Sequence, residues 1–366
     1  MQNLKNILRN KKLMYTMLGA IGGIIVLIII VMVIINILNK KTSYGEMENQ
    51  LISATTKYLS EHNEMYPTEE NDMITIDGST LENGKYIKEI NKLVKDTCEA
   101  TVEVYFKNND YQYKPFLICN KYETKMLHDK ILEDNPVVTS GNGLYDLNEM
   151  LVFRGDSVKN YFKFNNLIWR IVKMSTDGTI YLILENVKDA SNEVWDDRYN
   201  TVEESNKGIN DYNVSRAAVS LDRIIETKFS NLKSYLVPMD ICIAKRSEAE
   251  SNNTGSTECS YLLEEQKLIS LLPLYDYINA STDSKCATAA DRGCANYNYL
   301  LNKAGKWWTL TADGAKGTKV YGINYSGVIS SDYANSKKYL RYMIALDGTN
   351  IFESGNGTLE KPYVVK

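Results

Sequence analysis

The pattern of apolar and polar positions changes character several times along the chain. From Leu13 to Asn39 no side chain carries a charge, and most are Ile, Leu, Val, Met, Gly or Ala. Such a run is apolar on every face of a helix and long enough to cross a bilayer, which takes roughly 20 residues. It predicts a transmembrane helix over 13–39. Beyond it Met47, Leu51, Ala54 and Tyr58 recur at helical spacing, with Glu48, Gln50, Thr56 and Lys57 on other faces. This predicts an amphipathic helix over 44–62 that continues the first and stops before Pro67.

Strand signals follow. Met73–Ile76 is a short strand, and residues 81–87 are a short helix interrupted at Gly84. Thr101–Phe106 alternates, Asn108-Asn109-Asp110 turns, and Tyr111–Cys119 returns as the second arm of a hairpin. The segment from Glu133 to Gly143 is rich in turn residues (Asp134-Asn135-Pro136, Ser140-Gly141-Asn142-Gly143) and reads as a boundary. Past it, Leu167–Met174 and Thr179–Leu184 flank Thr176-Asp177-Gly178, a hairpin turn. Val214–Leu236 has helical spacing. Leu268–Leu272, Trp307–Thr311, Thr318–Ile323 and Tyr339–Leu346 are strands, and a glycine turn at 354–358 leads to a last strand. The organisation expected is a cytoplasmic basic tail (1–12), the transmembrane helix (13–39), a stalk domain (40–132), a linker (133–150) and an extracellular α+β domain (151–366).

Charge and cysteines supply the sidedness. Lys5, Arg9, Lys11 and Lys12 precede the uncharged run, while Lys40 and Lys41 after it are diluted by Glu46 and Glu48. The positive-inside rule then places the N-terminus in the cytoplasm and the C-terminus outside. The run ends without a small-x-small site, so it reads as an uncleaved signal anchor at the cell membrane rather than a signal peptide. All six cysteines (Cys98, Cys119, Cys242, Cys259, Cys286 and Cys294) follow it. An even number in an oxidising compartment implies disulfides. The local pairing joins sequence neighbours, and Cys98–Cys119 would tie the hairpin's ends; other pairings stay open. Gly19 and Gly23 form a G-x-x-x-G step through which two such helices could associate. The net charge of −4 gives no electrostatic support to nucleic-acid binding.

Two resemblances arise from quoted residues. Tyr58, Tyr66 and Pro67, Gly84-Lys85-Tyr86-Ile87, Cys98, Cys119, Tyr122 and Thr124 resemble the pilin-like modules of surface proteins in low-GC Gram-positive bacteria. They cover about a quarter of the chain. The resemblance implies a long helix against a small antiparallel sheet, and self-association through that helix. The prepilin peptidase site and its glutamate are missing between Leu13 and Asn39, so filament assembly does not follow. Further on, "FRGDSVKNYFKFNNLIWRIV", "WWTLTADG", "YLRYMIAL" and "SGNGTLEKPYVV" resemble an uncharacterised extracellular domain of Firmicutes surface proteins, with a C-type-lectin-like or sulfatase-modifying-factor-like fold as the implied architecture. The family's Arg-Pro pair is absent, since Arg341 is followed by Tyr342. The fold class expected is therefore α+β: a transmembrane helix continuing into a pilin-like helix with a small sheet, then a larger β-rich α+β domain.

Candidate chemistry is sparse. The only histidines, His62 and His128, precede the last domain, which leaves Ser-His-Asp, Cys-His and histidine-metal arrangements without their imidazole there. Phosphate-loop and nucleophile-elbow motifs are absent from the sequence. Paired cysteines would not serve a formylglycine-type oxidase. Glu193, Asp196 and Asp197 around Trp195 match the acid pair and aromatic of sugar hydrolysis. They also make calcium the one candidate cofactor. Trp307 and Trp308 are adjacent, so on a strand they face opposite ways; one is expected in the core and the other as a sugar or protein platform, with Trp195 as a further contact. Asn296-Tyr297-Asn298-Tyr299 is a second aromatic-amide cluster. The reading is a membrane-anchored surface protein that displays a non-catalytic domain for a glycan or protein ligand. A pilin-like assembly subunit and a carboxylate hydrolase are the alternatives.

Overall fold

The computed structural model describes Tyr15, Gly19, Gly22, Gly23 and residues 25–32, 41–147 and 149–366. It corrects the expected fold class. Among the described residues no helix is long and apolar enough to cross a membrane. Tyr15, Gly19, Gly22, Gly23 and residues 25–32 are helical. Residues 1–12 and most of the remainder of 13–39 lie outside the described residues. What is described is a mixed α/β structure of several sheets with two hydrophobic cores.

The first core lies between the helix Tyr44–Glu61 and a four-stranded antiparallel sheet. Ser43 caps the helix, its Oγ accepting from the Glu46 amide at 3.2 Å, which satisfies one of the helix's otherwise unpaired N–H groups. Met47, Leu51 and Ala54 are buried as their spacing predicts, joined by Leu59. Glu48, expected on a polar face, is also fully buried. Its carboxylate accepts from Tyr122 at 2.8 Å and from Thr124, and pairs with Lys366 at 3.1 Å. A buried carboxylate persists only with such partners.

The sheet runs in chain order through Met73–Asp77, Cys98–Lys107, Asp110–Cys119 and Tyr122–Glu123. The central hairpin turns where predicted, with Asn108 and Asn109 both left-handed (φ 50° and 61°), the conformation a tight type I′ turn demands and Asn tolerates. Cys98 lies directly opposite Cys119 and is bonded to it.

The second core takes up the chain from Leu127, since Leu127 and Ile131 of the helix Leu127–Asp134 belong to it. Strand Gly143–Leu147 pairs with Met150–Arg154 at the edge of its largest sheet, so much of the segment expected as a linker is part of the folded unit. That seven-stranded sheet runs Ile269–Leu271, Tyr342–Leu346, Ile180–Leu184, Leu167–Ser175, Met150–Arg154, Gly143–Leu147, with Tyr161–Phe164 also on Leu167–Ser175. A five-stranded sheet runs Asn192–Val194, Lys337–Tyr339, Trp307–Ala312, Lys319–Ile323, Ile329–Tyr333. The helix Arg216–Lys228, started by Ser215 capping the Ala218 amide at 3.0 Å, contacts an edge of each sheet.

The two units meet through polar groups. Asp347 holds Lys107 at 2.7 Å and Lys114 at 3.3 Å, and Gln112 hydrogen-bonds Asn350. Asn108 donates to the carbonyls of Lys233 and Leu236. Burial pushes the Asp347 carboxyl up, but Lys114, Lys107 and Thr349 overcome this and hold it well below the ordinary carboxylate range.

Candidate functional site

A cleft of about 610 Å³ opens on the second unit, bounded by the seven-stranded sheet, the helix Leu274–Asn279 and the loops around 237–242 and 253–254. Strand alternation builds its wall. Met150, Val152 and Arg154 share one face of their strand, Lys173 lies opposite Val152, and Tyr181 lies opposite Lys173. The turn between the next two strands adds Asp177 and Thr179. Asp177 fixes that turn by accepting from Ser175 and from the Thr179 amide at 2.9 Å, while Gly178 takes the left-handed φ of 91° that closes it. The outer loop is pinned by the Cys242–Cys259 disulfide, with Asn253 and Thr254 on the cleft.

At the floor Lys173 Nζ lies 2.7 and 2.9 Å from the two oxygens of Asp276 and 3.3 Å from the Tyr275 hydroxyl. The rings of Tyr181 and Tyr275 flank the ammonium at 5.2 and 4.9 Å. Burial pulls the Lys173 ammonium down, and Asp276 with Tyr275 more than reverses this, leaving it above the ordinary lysine range. Burial pushes Asp276 up against the pull of Lys173. The bidentate geometry fits a charged pair that is neutral as a unit. Burial also pushes the Tyr275 phenol up to about 12, so it is un-ionised at neutral pH, its hydroxyl oxygen accepting from Lys173.

The loop that walls the cleft is organised from inside by Arg246. Its guanidinium is fully buried, 3.0 Å from the equally buried Glu258, and donates to the Asn252 and Glu250 carbonyls at 3.1 and 2.7 Å and to Asn253 Oδ1 at 2.7 Å.

The residues singled out from sequence sit elsewhere. Trp195, Trp307 and Trp308 are each 0% exposed, so none presents a ring to a ligand. Both faces of strand Trp307–Ala312 are covered, which is why neither adjacent indole reaches solvent: Trp307 packs edge-on to Tyr277 and beneath Arg341, and Trp308 lies under Lys338 with its Nε1–H on the Glu193 carbonyl. The three carboxylates are tied to separate structural partners. Glu193 accepts from Ser220, Asp196 is buried against Arg198 at 2.9 Å, and Asp197 pairs with Arg216 at 2.9 Å. Tyr297 is 59% exposed with a left-handed φ of 43°, while Asn298 and Tyr299 are buried.

Cys242–Cys259 and Cys286–Cys294 are bonded, like Cys98–Cys119, and no free cysteine is present among the described residues. Among those residues the one grouping with metal-ligand spacing is Asp96 with Cys98 and Cys119; sulfurs joined in a disulfide are not the thiolates that bind metal. His62 stacks on Tyr58 and hydrogen-bonds its carbonyl, and His128 sits beside Asp129.

Arg154, Lys173, Tyr181 and Asp276 were not singled out by sequence. The available signal was a lysine in the otherwise apolar run Ile171-Val172-Lys173-Met174, a position that needs a buried counter-charge. No protein-family model, curated protein or solved structure matches this chain.

Proposed function

We propose that this chain is a cell-surface protein, held at the membrane and displaying outside the cytoplasm a non-catalytic domain that binds a ligand in the cleft above the Lys173–Asp276 pair. The cleft carries the reading. It combines aromatic walls, amides and fixed charges in a concavity of ligand-binding size, and its polar groups are mounted on the sheet, the helix Leu274–Asn279 and the disulfide-closed loop. The three disulfides support an oxidising compartment. The uncharged run at 13–39 and the resemblance to extracellular domains of Firmicutes surface proteins support attachment at the cell surface. The acidic residues considered for hydrolysis are occupied in structural bonds, and the floor pair neutralises itself, so the cleft has binding groups rather than an evident acid–base pair.

The test is a glycan and host-protein array probed with the solubilised full chain, purified under oxidising conditions, with and without calcium. Saturable binding that is lost in Met150→Trp, which fills the cleft with an indole, supports the proposal. Binding unaffected by that substitution refutes the cleft as the site.

A second reading rests on the first unit. Its helix against a four-stranded antiparallel sheet is the arrangement the pilin resemblance implies, and a pilin-like subunit of a surface assembly is the corresponding proposal. Filaments containing the chain on intact cells would support it; a monomeric chain recovered from the same cells would oppose it.

A further inference from the structure

Resting on the cleft as the binding site, we infer that its ligand is a short peptide of about three to four residues with both termini free, carboxylate on Arg154 and ammonium at Asp177 and Asp240. The inference comes from which charges in the cleft are spent and which are not. Lys173 and Asp276 cancel each other. Arg154 lines the same cleft, and among the described residues no carboxylate pairs with it. Its Nη2 donates to the Ser281 carbonyl at 2.7 Å and its guanidinium lies 4.9 Å from the Tyr145 ring, while its Nε–H is buried with no partner. Apart from the Ser281 carbonyl the guanidinium has no acceptor among the described residues, and a carboxylate is the acceptor whose planar geometry its accessible edge fits.

The acidic side of the cleft is equally unspent. Asp177 accepts only from its own turn, and Asp240 accepts from Gln266 at 2.9 Å; neither faces a cation among the described residues. Both carboxylates line the cleft together with Tyr181; burial first, with Asp177, Asp276 and Asp240 acting against Lys173, pushes that phenol up. Register separates the two signs. Arg154 ends its strand, while Met150, four residues back, pairs with Ser175 beside Asp177. At about 3.3 Å per residue the offset is roughly 13 Å, the length of an extended peptide of three to four residues. Tyr181 and the floor pair lie between, with Asn253, Asn279 and Gln266 available to peptide amides. A ligand of one sign would meet an unpaired like charge at one end of the cleft; a dipolar one meets neither.

The experiment is calorimetric titration of the full chain with trialanine, its C-terminal amide and its N-acetyl form. Saturable trialanine binding is expected, at least tenfold weaker with either end blocked. Arg154→Gln should reduce trialanine to the level of the amide and leave the amide unchanged; Asp240→Asn should do the same for the acetylated form. Unchanged thermal melting of both variants separates lost contacts from lost folding. Absent trialanine binding, or equal binding of all three peptides, overturns the inference. If the array instead yields a neutral ligand that Met150→Trp abolishes and Arg154→Gln does not, the cleft stands as the site and the peptide assignment falls. If no ligand depends on the cleft, the reading of the site itself fails.

Discussion

Removing Arg246 tests whether the cleft wall is built from a buried charge. In Arg246→Met the Glu258 carboxylate, fully buried at 3.0 Å from the guanidinium, loses its counter-ion, and two loop carbonyls and Asn253 lose their donor. Breaking a buried pair by deleting one partner costs about 3–5 kcal/mol, because the remaining charge stays out of water. For a unit of this size each kcal/mol lowers Tm by about 2–4 °C, so a fall of roughly 6–20 °C is expected by calorimetry under non-reducing conditions.

The deficit should also depend on pH. Burial already pushes the Glu258 carboxyl up against the opposing pull of Arg246; without Arg246 it rises further. A carboxyl raised in the folded state is harmless below its unfolded pKa and destabilises as pH climbs through the folded value. The deficit should therefore shrink on acidification from neutral toward pH about 4, near the ordinary glutamate value. Adding Glu258→Leu should recover part of it, since the orphaned charge is gone. A single variant that melts within about 1 kcal/mol of wild type, or a double variant no better than the single, would refute the reasoning.

Three further outcomes are expected. Trp308→Ala removes a fully buried indole and should cost about 3–5 kcal/mol, read as a lower urea midpoint, while a variant that keeps its midpoint and loses only ligand binding would contradict the core assignment. Cys98→Ala with Cys119→Ala opens a loop whose ends are 21 residues apart and should cost the first unit about 2–5 kcal/mol, seen as an earlier transition in hydrogen exchange of the hairpin. Because Lys114 and Lys107 depress Asp347 against its burial, its contribution should be present above its unfolded pKa and lost as pH falls through the lower folded value; a drop in amide protection factors, normalised to the intrinsic exchange rate at each pH, at the junction of the two units on acidification, absent in Asp347→Asn, is the readout.

Local pattern carried the regular elements. The stripe Met47, Leu51, Ala54 and the two-asparagine hairpin formed where spacing and turn chemistry placed them, since helix faces and type I′ turns depend on near neighbours. Proximity also gave the three cysteine pairs. Glu48 was misplaced because its partners Tyr122, Thr124 and Lys366 come from distant strands and the far end of the chain. One of Trp307 and Trp308 was expected on a solvent face because a strand has two, yet which faces are covered depends on sheets and helices folding over it. The cleft was invisible for the same reason: Arg154, Lys173, Tyr181, Asp240 and Asp276 are spread over more than a hundred positions and become neighbours only through strand register and the disulfide loop. Lys173 inside an apolar strand was the one local clue.

The most direct test of the cleft as the binding site is a hydrogen–deuterium exchange footprint of the full chain with a ligand recovered from the array. Protection concentrated in 150–154, 173–181, 237–242 and 274–279, and erased by Met150→Trp, is the expected result. Protection confined to surfaces away from these segments, such as the exposed tyrosines Tyr297 and Tyr325, would contradict it.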